Sequence, residues 1–147
     1  FLNFSQIIEY LINEKNVKVI FLGSAADGEL YDKKMKYKEP LKNPPMNLCG
    51  KFGMRDSLAI IKEADFVIGN DTGTLHMAAS VGTRVIGLYG PMPFEKWRAI
   101  GKNNILLKAN LDCMPCSLKQ KCPKDRACLK AITVKTVKAA IDKMLSV

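Results

Sequence analysis

The sequence predicts an α/β fold built around a parallel, doubly wound sheet. Apolar runs of strand length alternate along the chain with stretches whose apolar residues recur at helical spacing, which is typical of βαβ units. The runs are nearly continuous in apolar character, as expected of parallel strands that are covered on both faces. With 147 residues, the chain is long enough for one domain with its own core.

The N-terminal part is predicted to contain a helix, a strand and a second helix. Residues 4–15 carry apolar side chains at helical spacing, and Ser5 is expected to cap this helix. Residues 17–22 form the first predicted strand. A glycine-containing turn is expected over 23–28, and the second helix over 29–38.

The middle of the chain continues the alternation of strand and helix. Three prolines mark residues 39–45 as a loop. The expected elements after this loop are a short strand over 46–49, a helix from 55 or 56 to 64, a strand over 66–69, a helix over 74–81 and a strand over 84–89. Small residues on one face of the helix over 74–81 indicate close packing.

The C-terminal part combines a loop, a last strand, a cysteine-rich segment and a final helix. The loop opens at residues 90–93 and holds the only tryptophan, Trp97. The last strand is expected over 104–108, and residues 110–130 are expected to be irregular. Thr133 is expected to cap the final helix. The residues of this helix that are predicted to face inward are Val134, Val137, Ile141 and Leu145.

Positive charge dominates the composition. Lysine and arginine outnumber aspartate and glutamate by 23 to 14, which gives a formal net charge of +9. Such an excess suits a phosphorylated ligand, an anionic membrane surface or nucleic acid. The lysines within residues 33–38 lack the aromatic stacking pattern of an RNA-binding sheet, so nucleic acid is not an expected partner. The longest apolar runs are too short to span a membrane.

A small polar turn, residues 70–73, joins the strand over 66–69 to the helix that follows. Its Asn, Asp, Thr and Gly residues tolerate unusual backbone angles and cap helices. Such a turn leaves free N–H groups and the positive end of the helix dipole directed at one place, which favours phosphate. The strand over 84–89 also ends in a glycine turn, and two neighbouring strand ends define a crevice for ligands.

Other phosphate-binding and catalytic motifs are excluded. The G-x-G-x-x-G dinucleotide fingerprint is absent, since residues 23–28 have the wrong spacing, and a Walker A loop is absent too. Asp71-Thr-Gly resembles an aspartic-protease signature, but here it leads into a helix. It also resembles the phosphorylated aspartate motif of ion pumps, but Asn70 occupies the position of the nucleophile, and an amide cannot form an acyl phosphate.

His76 is the only histidine and lies in the first turn of the predicted helix, three residues after Gly73. From that position its side chain can reach the ligand that the helix N–H groups bind. The alternative is a structural or simply exposed histidine. Asp71 is either a helix cap, or it orients the turn or meets a hydroxyl or a cationic partner, because an unpaired carboxylate beside phosphate would repel it.

Lys51 and Phe52 lie in a second glycine-flanked turn, at the end of another predicted strand. A lysine at this position can neutralise phosphate, and an aromatic ring can stack on a base. A solvated lysine beside a core phenylalanine is an equally good interpretation of the same residues.

Four of the five cysteines have the spacing C-x2-C-x5-C-x5-C, and Cys49 stands apart. The four are Cys113, Cys116, Cys122 and Cys128. Four thiolates can hold zinc, but the later spacings are loose for a zinc knuckle. Disulfides require an oxidising compartment, and free, partly buried thiols are the third alternative. The metal is therefore left unassigned.

Several of these motifs together resemble one known family. Residues 47–54, 64–82 and 85–91, which include Asp71-Thr-Gly-Thr-Leu-His76, are similar to the C-terminal domain of bacterial lipopolysaccharide heptosyltransferases, glycosyltransferase family 9. Residues 21–27 and the Ile-Thr-x-x-x-Val pattern of residues 132–137 also resemble this family. The resemblance covers nearly the whole chain.

The resemblance implies the C-terminal half of a GT-B enzyme, in which two Rossmann-like domains flank the active site. Residues 1–147 are then expected to be a single donor-binding domain, a fragment without the acceptor domain that supplies the catalytic base. The implied reaction is inverting heptosyl transfer from ADP-heptose to the lipopolysaccharide inner core. It needs no metal ion or other cofactor. The implied place is the cytoplasmic face of the inner membrane, with peripheral association with anionic lipid.

The resemblance also implies which residues contact the donor. Asp71, Thr72, Gly73 and His76 are expected at its phosphates and sugar. Thr74 lies beside the phosphates, at a position where relatives often carry proline or an apolar residue. The residues expected at the nucleoside are Lys51 and Phe52 near adenine, and Ser24 and Asp27 towards the ribose.

The sequence also allows two functions other than heptosyl transfer from ADP-heptose. One is another GT-B enzyme with a UDP- or GDP-sugar donor, which a preference for UDP or GDP over ADP would reveal. The other is a basic binding module stabilised by zinc at the four clustered cysteines, which would bind about one zinc ion per chain.

Overall fold

The computed structural model describes residues 2–118 and 121–146. The elements along the chain are α1 (Leu2–Glu9), a π-helical segment (Tyr10–Glu14), β1 (Ile20–Phe21), α2 (Ala25–Lys34), β2 (Met46–Asn47), α3 (Met54–Lys62), β3 (Phe66–Asn70), α4 (Gly73–Ser80), β4 (Arg84–Tyr89), α5 (Phe94–Trp97), β5 (Ile105–Lys108), α6 (Ala127–Lys130) and α7 (Val134–Leu145). They fall into an N-terminal unit, Phe1–Ser57, and a C-terminal unit, Leu58–Val147. The α/β prediction is confirmed.

The first helix of the N-terminal unit differs from the prediction at both ends. Ser5 is not an N-cap, because α1 already begins at Leu2. The Ser5 side chain is buried, and its hydroxyl donates to Sδ of Met35 at 3.3 Å. The helix widens into a π-helical segment from Tyr10 to Glu14. The predicted apolar face is otherwise found, since Ile7, Ile8, Leu11 and Ile12 are buried.

The sheet of the N-terminal unit consists of β1 and β2, which pair in parallel with Ile20 opposite Met46. The first strand is shorter than predicted, but backbone hydrogen bonds continue beyond it. Leu48 N–H donates to the Phe21 carbonyl at 3.0 Å, and Gly50 N–H donates to the Gly23 carbonyl at 2.9 Å. The turns that follow the two strands are therefore held side by side.

Helix α2 begins at Ala25, four residues earlier than predicted. The reason is a capping box at Ser24. Its hydroxyl oxygen accepts the N–H of Asp27 at 3.3 Å, and the Asp27 carboxylate accepts the N–H of Ser24 at 2.8 Å. These two bonds satisfy backbone donors at the helix start, so most of the predicted turn over 23–28 is the first turn of a helix.

The C-terminal unit contains a three-stranded parallel sheet in the order β3-β4-β5. Its central strand, β4, is buried from Val85 to Tyr89, as the continuous apolar pattern predicts. Leu75 and Ala78 of α4 are fully buried in this core, and so is Ile61 of α3. Because the strands are parallel, the turns after β3, β4 and β5 emerge at the same edge.

The last part of the chain contains two short helices where loops were predicted, α5 and α6. In α7 the predicted cap is confirmed, because the Thr133 hydroxyl accepts the N–H of Thr136 at 3.2 Å. Leu145 was predicted to face inward, but it is exposed, and Met144 is buried instead. With 3.6 residues per turn, the inward face drifts back to Met144 at this point of the helix.

Among the described residues, none of the helices has both the length and the apolar composition needed to cross a membrane.

Candidate functional site

The turn between β3 and α4 lies at the C-terminal edge of the three-stranded sheet. Asn70 ends β3 opposite Leu88 of β4. Thr72 is the N-cap of α4 in an extended conformation, with φ −140° and ψ 167°, and its side chain makes no capping hydrogen bond. Helix α4 begins at Gly73, one residue before the prediction.

The N-terminal end of α4 is open. The N–H groups of Leu75 and His76 donate to the Thr72 carbonyl, at 3.1 and 3.4 Å. Within the described residues, the N–H groups of Gly73 and Thr74 have no acceptor. Within the described part of the chain, a Cβ atom placed on Gly73 would meet no atom of another segment within 4 Å, so the space beside it is open. Free donors and the helix dipole together favour an anion at this point.

Asp71 and His76 contact each other across the turn. Oδ1 of Asp71 lies 3.2 Å from Nε2 of His76. The Asp71 side chain is 15% exposed and that of His76 is 41% exposed, so the carboxylate is largely covered while the ring remains accessible. Asp71 precedes the N-cap residue, and the contact that the structure gives its carboxylate is with the histidine. This carboxylate therefore fixes the orientation of the imidazole.

Tyr89 lies beside this turn at the end of β4. It is 2% exposed, and its hydroxyl oxygen accepts the N–H of Ala99 at 2.7 Å. Burial, together with the negative charge of Asp71, raises the pKa of Tyr89, against the opposing effect of the Ala99 hydrogen bond. Sequence reasoning missed Tyr89. The available signal was a tyrosine at the end of a buried strand, since a buried hydroxyl needs a partner.

The other predicted donor residues belong to the N-terminal unit, and the structure brings their two turns together. Gly50 has a positive φ of 71°, and a Cβ atom there would lie 2.7 Å from Cα of Ala25. The turn that carries Lys51 and Phe52 therefore packs directly against the start of α2. Phe52 is 47% exposed, so the alternative of a core phenylalanine is wrong.

Ser24 and Asp27 bind one another in the capping box. The Ser24 hydroxyl donates to Oδ2 of Asp27 at 2.7 Å. The hydrogen bonds from the side chain and the backbone of Ser24 lower the pKa of Asp27 below its ordinary value of 3.8. Because the folded pKa is depressed, the stabilisation is fully present above the unfolded pKa and is lost as pH falls through the folded value.

We predict that Asp27→Asn removes part of the acid sensitivity of this protein. Ser24→Ala should lower the free energy of unfolding by about 1 kcal/mol at neutral pH, because it removes the cap. The stability difference between wild type and Asp27→Asn should be constant near neutral pH and shrink below about pH 4. Urea unfolding across this pH range measures both effects, and a difference that is independent of pH would contradict the assignment.

The cysteines do not share one environment. All five are free thiols: Cys113 and Cys116 are exposed, Cys49 and Cys122 are intermediate, and Cys128 is buried. Across residues 2–118 and 121–146, no three His, Cys, Asp or Glu side chains are placed so that they could hold a metal ion. The segment is instead anchored by its backbone, since the N–H groups of Cys116 and Ser117 both donate to the Pro91 carbonyl, at 3.1 and 2.9 Å.

Alkylation should distinguish these thiols. At about pH 8, iodoacetamide should modify Cys113 and Cys116 first, because their side chains are exposed. Cys49 should react slowly, because burial and the charges of Asp27 and Asp32 raise its pKa. Cys128 should react only after unfolding. Peptide mass spectrometry measures the order in which the cysteines are alkylated. If the four clustered cysteines are protected together, and a chelator abolishes this protection, zinc binding would be supported instead.

Comparisons with a family model and with known proteins agree on one family. The sequence model of glycosyltransferase family 9 (heptosyltransferase) matches residues 2–127. The lipooligosaccharide heptosyltransferase 2 of Campylobacter jejuni is 29% identical in an alignment 147 residues long, which covers 97% of this chain and 43% of that protein. A lipopolysaccharide core heptosyltransferase of Haemophilus influenzae is 35% identical over 79 residues, 54% of this chain and 22% of that protein.

Solved structures show the same fold. A family 9 glycosyltransferase of Veillonella parvula superimposes with a TM-score of 0.77 at 23% identity, over 98% of this chain and 40% of that one. The ADP-heptose lipopolysaccharide heptosyltransferase II of Escherichia coli gives a TM-score of 0.79 at 20% identity, over 97% of this chain and 40% of that one. The predicted Rossmann-like α/β fold is confirmed. This chain spans 43% or less of the length of these relatives, and it belongs to glycosyltransferase family 9.

Proposed function

We propose that this chain is the donor-binding part of an inverting, metal-independent heptosyltransferase of lipopolysaccharide core synthesis, with ADP-heptose as donor. The observation that supports this proposal most directly is the start of α4. Two N–H groups that find no acceptor among the described residues and the accessible imidazole of His76 lie on one turn, at the C-terminal edge of a parallel sheet. That combination suits a diphosphate.

The chemistry requires stabilisation of a leaving group. As the bond to the sugar breaks, negative charge grows on the β-phosphate of the departing nucleoside diphosphate. The N–H groups of Gly73 and Thr74, with His76, donate to that charge, so the transition state is stabilised more than the ground state. Asp71 holds the imidazole in place, and the hydroxyls of Thr72 and Thr74 lie on the same turn.

Residues of the N-terminal unit are assigned to the nucleoside. Phe52 has an exposed ring that can stack on adenine, and Lys51 is exposed beside it. In Asp27, Oδ2 accepts from Ser24, which leaves Oδ1 for a ribose hydroxyl. A carboxylate is a common partner of ribose hydroxyls in Rossmann-like folds.

The catalytic base and the main part of the acceptor site are assigned to protein outside these residues. We expect this chain by itself to bind the nucleotide without transferring sugar. The formal charge of +9 suits an anionic donor, a phosphorylated inner-core acceptor and peripheral contact with anionic lipid at the cytoplasmic face of the inner membrane.

Calorimetric titration of this chain with ADP, UDP and GDP at low salt tests the proposal. We expect ADP to bind and the other two to bind more weakly. A clear preference for UDP or GDP would contradict ADP-heptose and favour another GT-B donor. If none of the three nucleotides binds, the assignment of the Asp71–His76 turn to the phosphates is wrong for this chain.

We predict that Gly73→Ala separates binding from folding. A Cβ atom at Gly73 meets no other segment of the described chain within 4 Å, and alanine is the better helix former by about 1 kcal/mol in a helix interior. Stability should therefore be unchanged or slightly higher. ADP affinity should fall, because the added methyl group occupies the space that the phosphates approach. Equal ADP affinity in both proteins would show that the ligand does not approach Gly73.

A further inference from the structure

The short helix α5 carries the only tryptophan and is anchored at both ends by Tyr89. The ring of Tyr89 meets the ring of Phe94 edge-on, with 5.1 Å between centroids. Its hydroxyl binds the N–H of Ala99 at 2.7 Å. Since Tyr89 is almost fully buried, the segment from Phe94 to Ala99 has a fixed position on the end of β4.

This segment lies next to the turn that precedes α4. Asn70 of β3 is opposite Leu88 of β4, so Asp71 and Tyr89 are the next residues at the same edge of the sheet. The effect of the Asp71 charge on Tyr89 agrees with this proximity. The candidate phosphate site and the segment that carries Trp97 are therefore neighbours on one sheet edge.

The exposed side of the segment combines an aromatic ring with positive charge. Trp97 is 41% exposed, although tryptophan is usually well covered. Nζ of Lys96 lies 5.3 Å from the centroid of its ring. Arg98 pairs with Glu95 at 3.3 Å, but the Arg98 side chain is half exposed and that of Glu95 is largely exposed, and such a surface pair is weak enough to yield to a ligand.

We propose that Trp97, Lys96 and Arg98 form a subsite for an anionic sugar of the acceptor, beside the donor phosphates. The indole face covers the C–H face of a sugar ring, while the ammonium and guanidinium groups bind its carboxylate or phosphate. The heptose of the donor carries no charge, so the cations favour the acceptor sugar over the donor sugar. This inference rests on the proposed function, since it places a second substrate at the same site.

Trp97 makes the subsite directly observable, because it is the only tryptophan of the chain. The chain is titrated with mannose 6-phosphate in the presence of saturating ADP, which occupies the donor phosphate turn, and again without ADP. Methyl mannoside and inorganic phosphate are the comparison ligands. We expect mannose 6-phosphate to change the Trp97 emission at a lower concentration than either comparison ligand.

Charge variants test the same subsite against a matched control. Lys96→Gln should weaken the response to mannose 6-phosphate about fivefold, because one close cation is removed. Lys102→Gln removes an exposed cation just outside the anchored segment and should leave the response unchanged. Equal weakening in both variants would overturn the subsite, because it would show only the effect of net charge.

The outcomes separate this inference from the proposed function. If ADP binds and mannose 6-phosphate leaves Trp97 emission unchanged, the subsite is overturned and the donor assignment stands. If mannose 6-phosphate is bound and ADP is not, the subsite for an anionic sugar is supported and the donor assignment fails. The chain could instead bind vesicles that contain anionic lipid, with equal need for Trp97 and Ile100, and give no response to the sugar. That result would overturn the subsite in favour of a membrane-docking surface.

Discussion

Replacing His76 with alanine should lower the affinity of this chain for ADP by about tenfold or more while leaving the fold intact. A hydrogen bond to a charged group contributes about 1.5–3 kcal/mol, and each 1.4 kcal/mol is a factor of ten in affinity. The His76 side chain is 41% exposed and its contact is with Asp71. Its removal should therefore change stability by less than about 1 kcal/mol.

Two variants complete this experiment, which is read by calorimetric titration with ADP. Asp71→Ala should weaken ADP binding through the loss of imidazole orientation, although Asp71 itself repels phosphate. Ser80→Ala is the control, because Ser80 is exposed at the other end of α4 and its hydroxyl donates to the Met77 carbonyl within the same helix. Unchanged affinity in His76→Ala would mean that the histidine has a structural role alone.

The second large effect concerns stability. Gly87→Ala should lower the free energy of unfolding by about 3 kcal/mol, the upper part of the range for overpacked cores. A Cβ atom at Gly87 would lie 2.5 Å from Cε2 of Tyr89 and 3.1 Å from Cδ2 of Leu75. Leu75 is fully buried. Tyr89 cannot move aside without losing its hydrogen bond to Ala99 and its contact with Phe94.

The neighbouring strand provides a matched control. Gly69 of β3 is directly opposite Gly87 in the sheet, but a Cβ atom there would only touch Cδ1 of Leu75 at 3.8 Å. Gly69→Ala should therefore change the urea midpoint little. Similar midpoints for the two variants would show that the space around Tyr89 adapts, and the role assigned to Gly87 would be wrong.

Much of the secondary structure around the candidate site was predictable because its signals are local. A continuous apolar run specified β4, and the polar turn after β3 specified an open helix start. Thr133 capped the last helix as its sequence position indicates. One local signal was misinterpreted. Ser24-x-x-Asp27 is a capping box with aspartate in the place of the usual glutamate, so the sequence signal was present but was interpreted as a turn.

Contacts between distant residues could not be predicted in the same way. The hydrogen bond from Ala99 to Tyr89, the approach of Gly50 to Ala25 and the burial of Ser5 against Met35 each join residues that are ten or more positions apart. Nothing in a local window encodes which side chain will meet which backbone group across a core. Helix α5 was missed for this reason: it is only four residues long, too short to be stable by itself, and its first residue and a residue that follows it contact Tyr89 across the core.

The sequence by itself determined the α/β class, the order of most elements and the turn at which an anion is expected to bind, because hydrophobic periodicity and capping chemistry act over a few residues. Only the tertiary structure decided that the Asp71 carboxylate contacts Nε2 of His76, that Tyr89 fixes the segment bearing Trp97, and that Gly87 has no room for a methyl group. Those properties depend on close packing between elements, which is a property of the folded chain and not of any one segment.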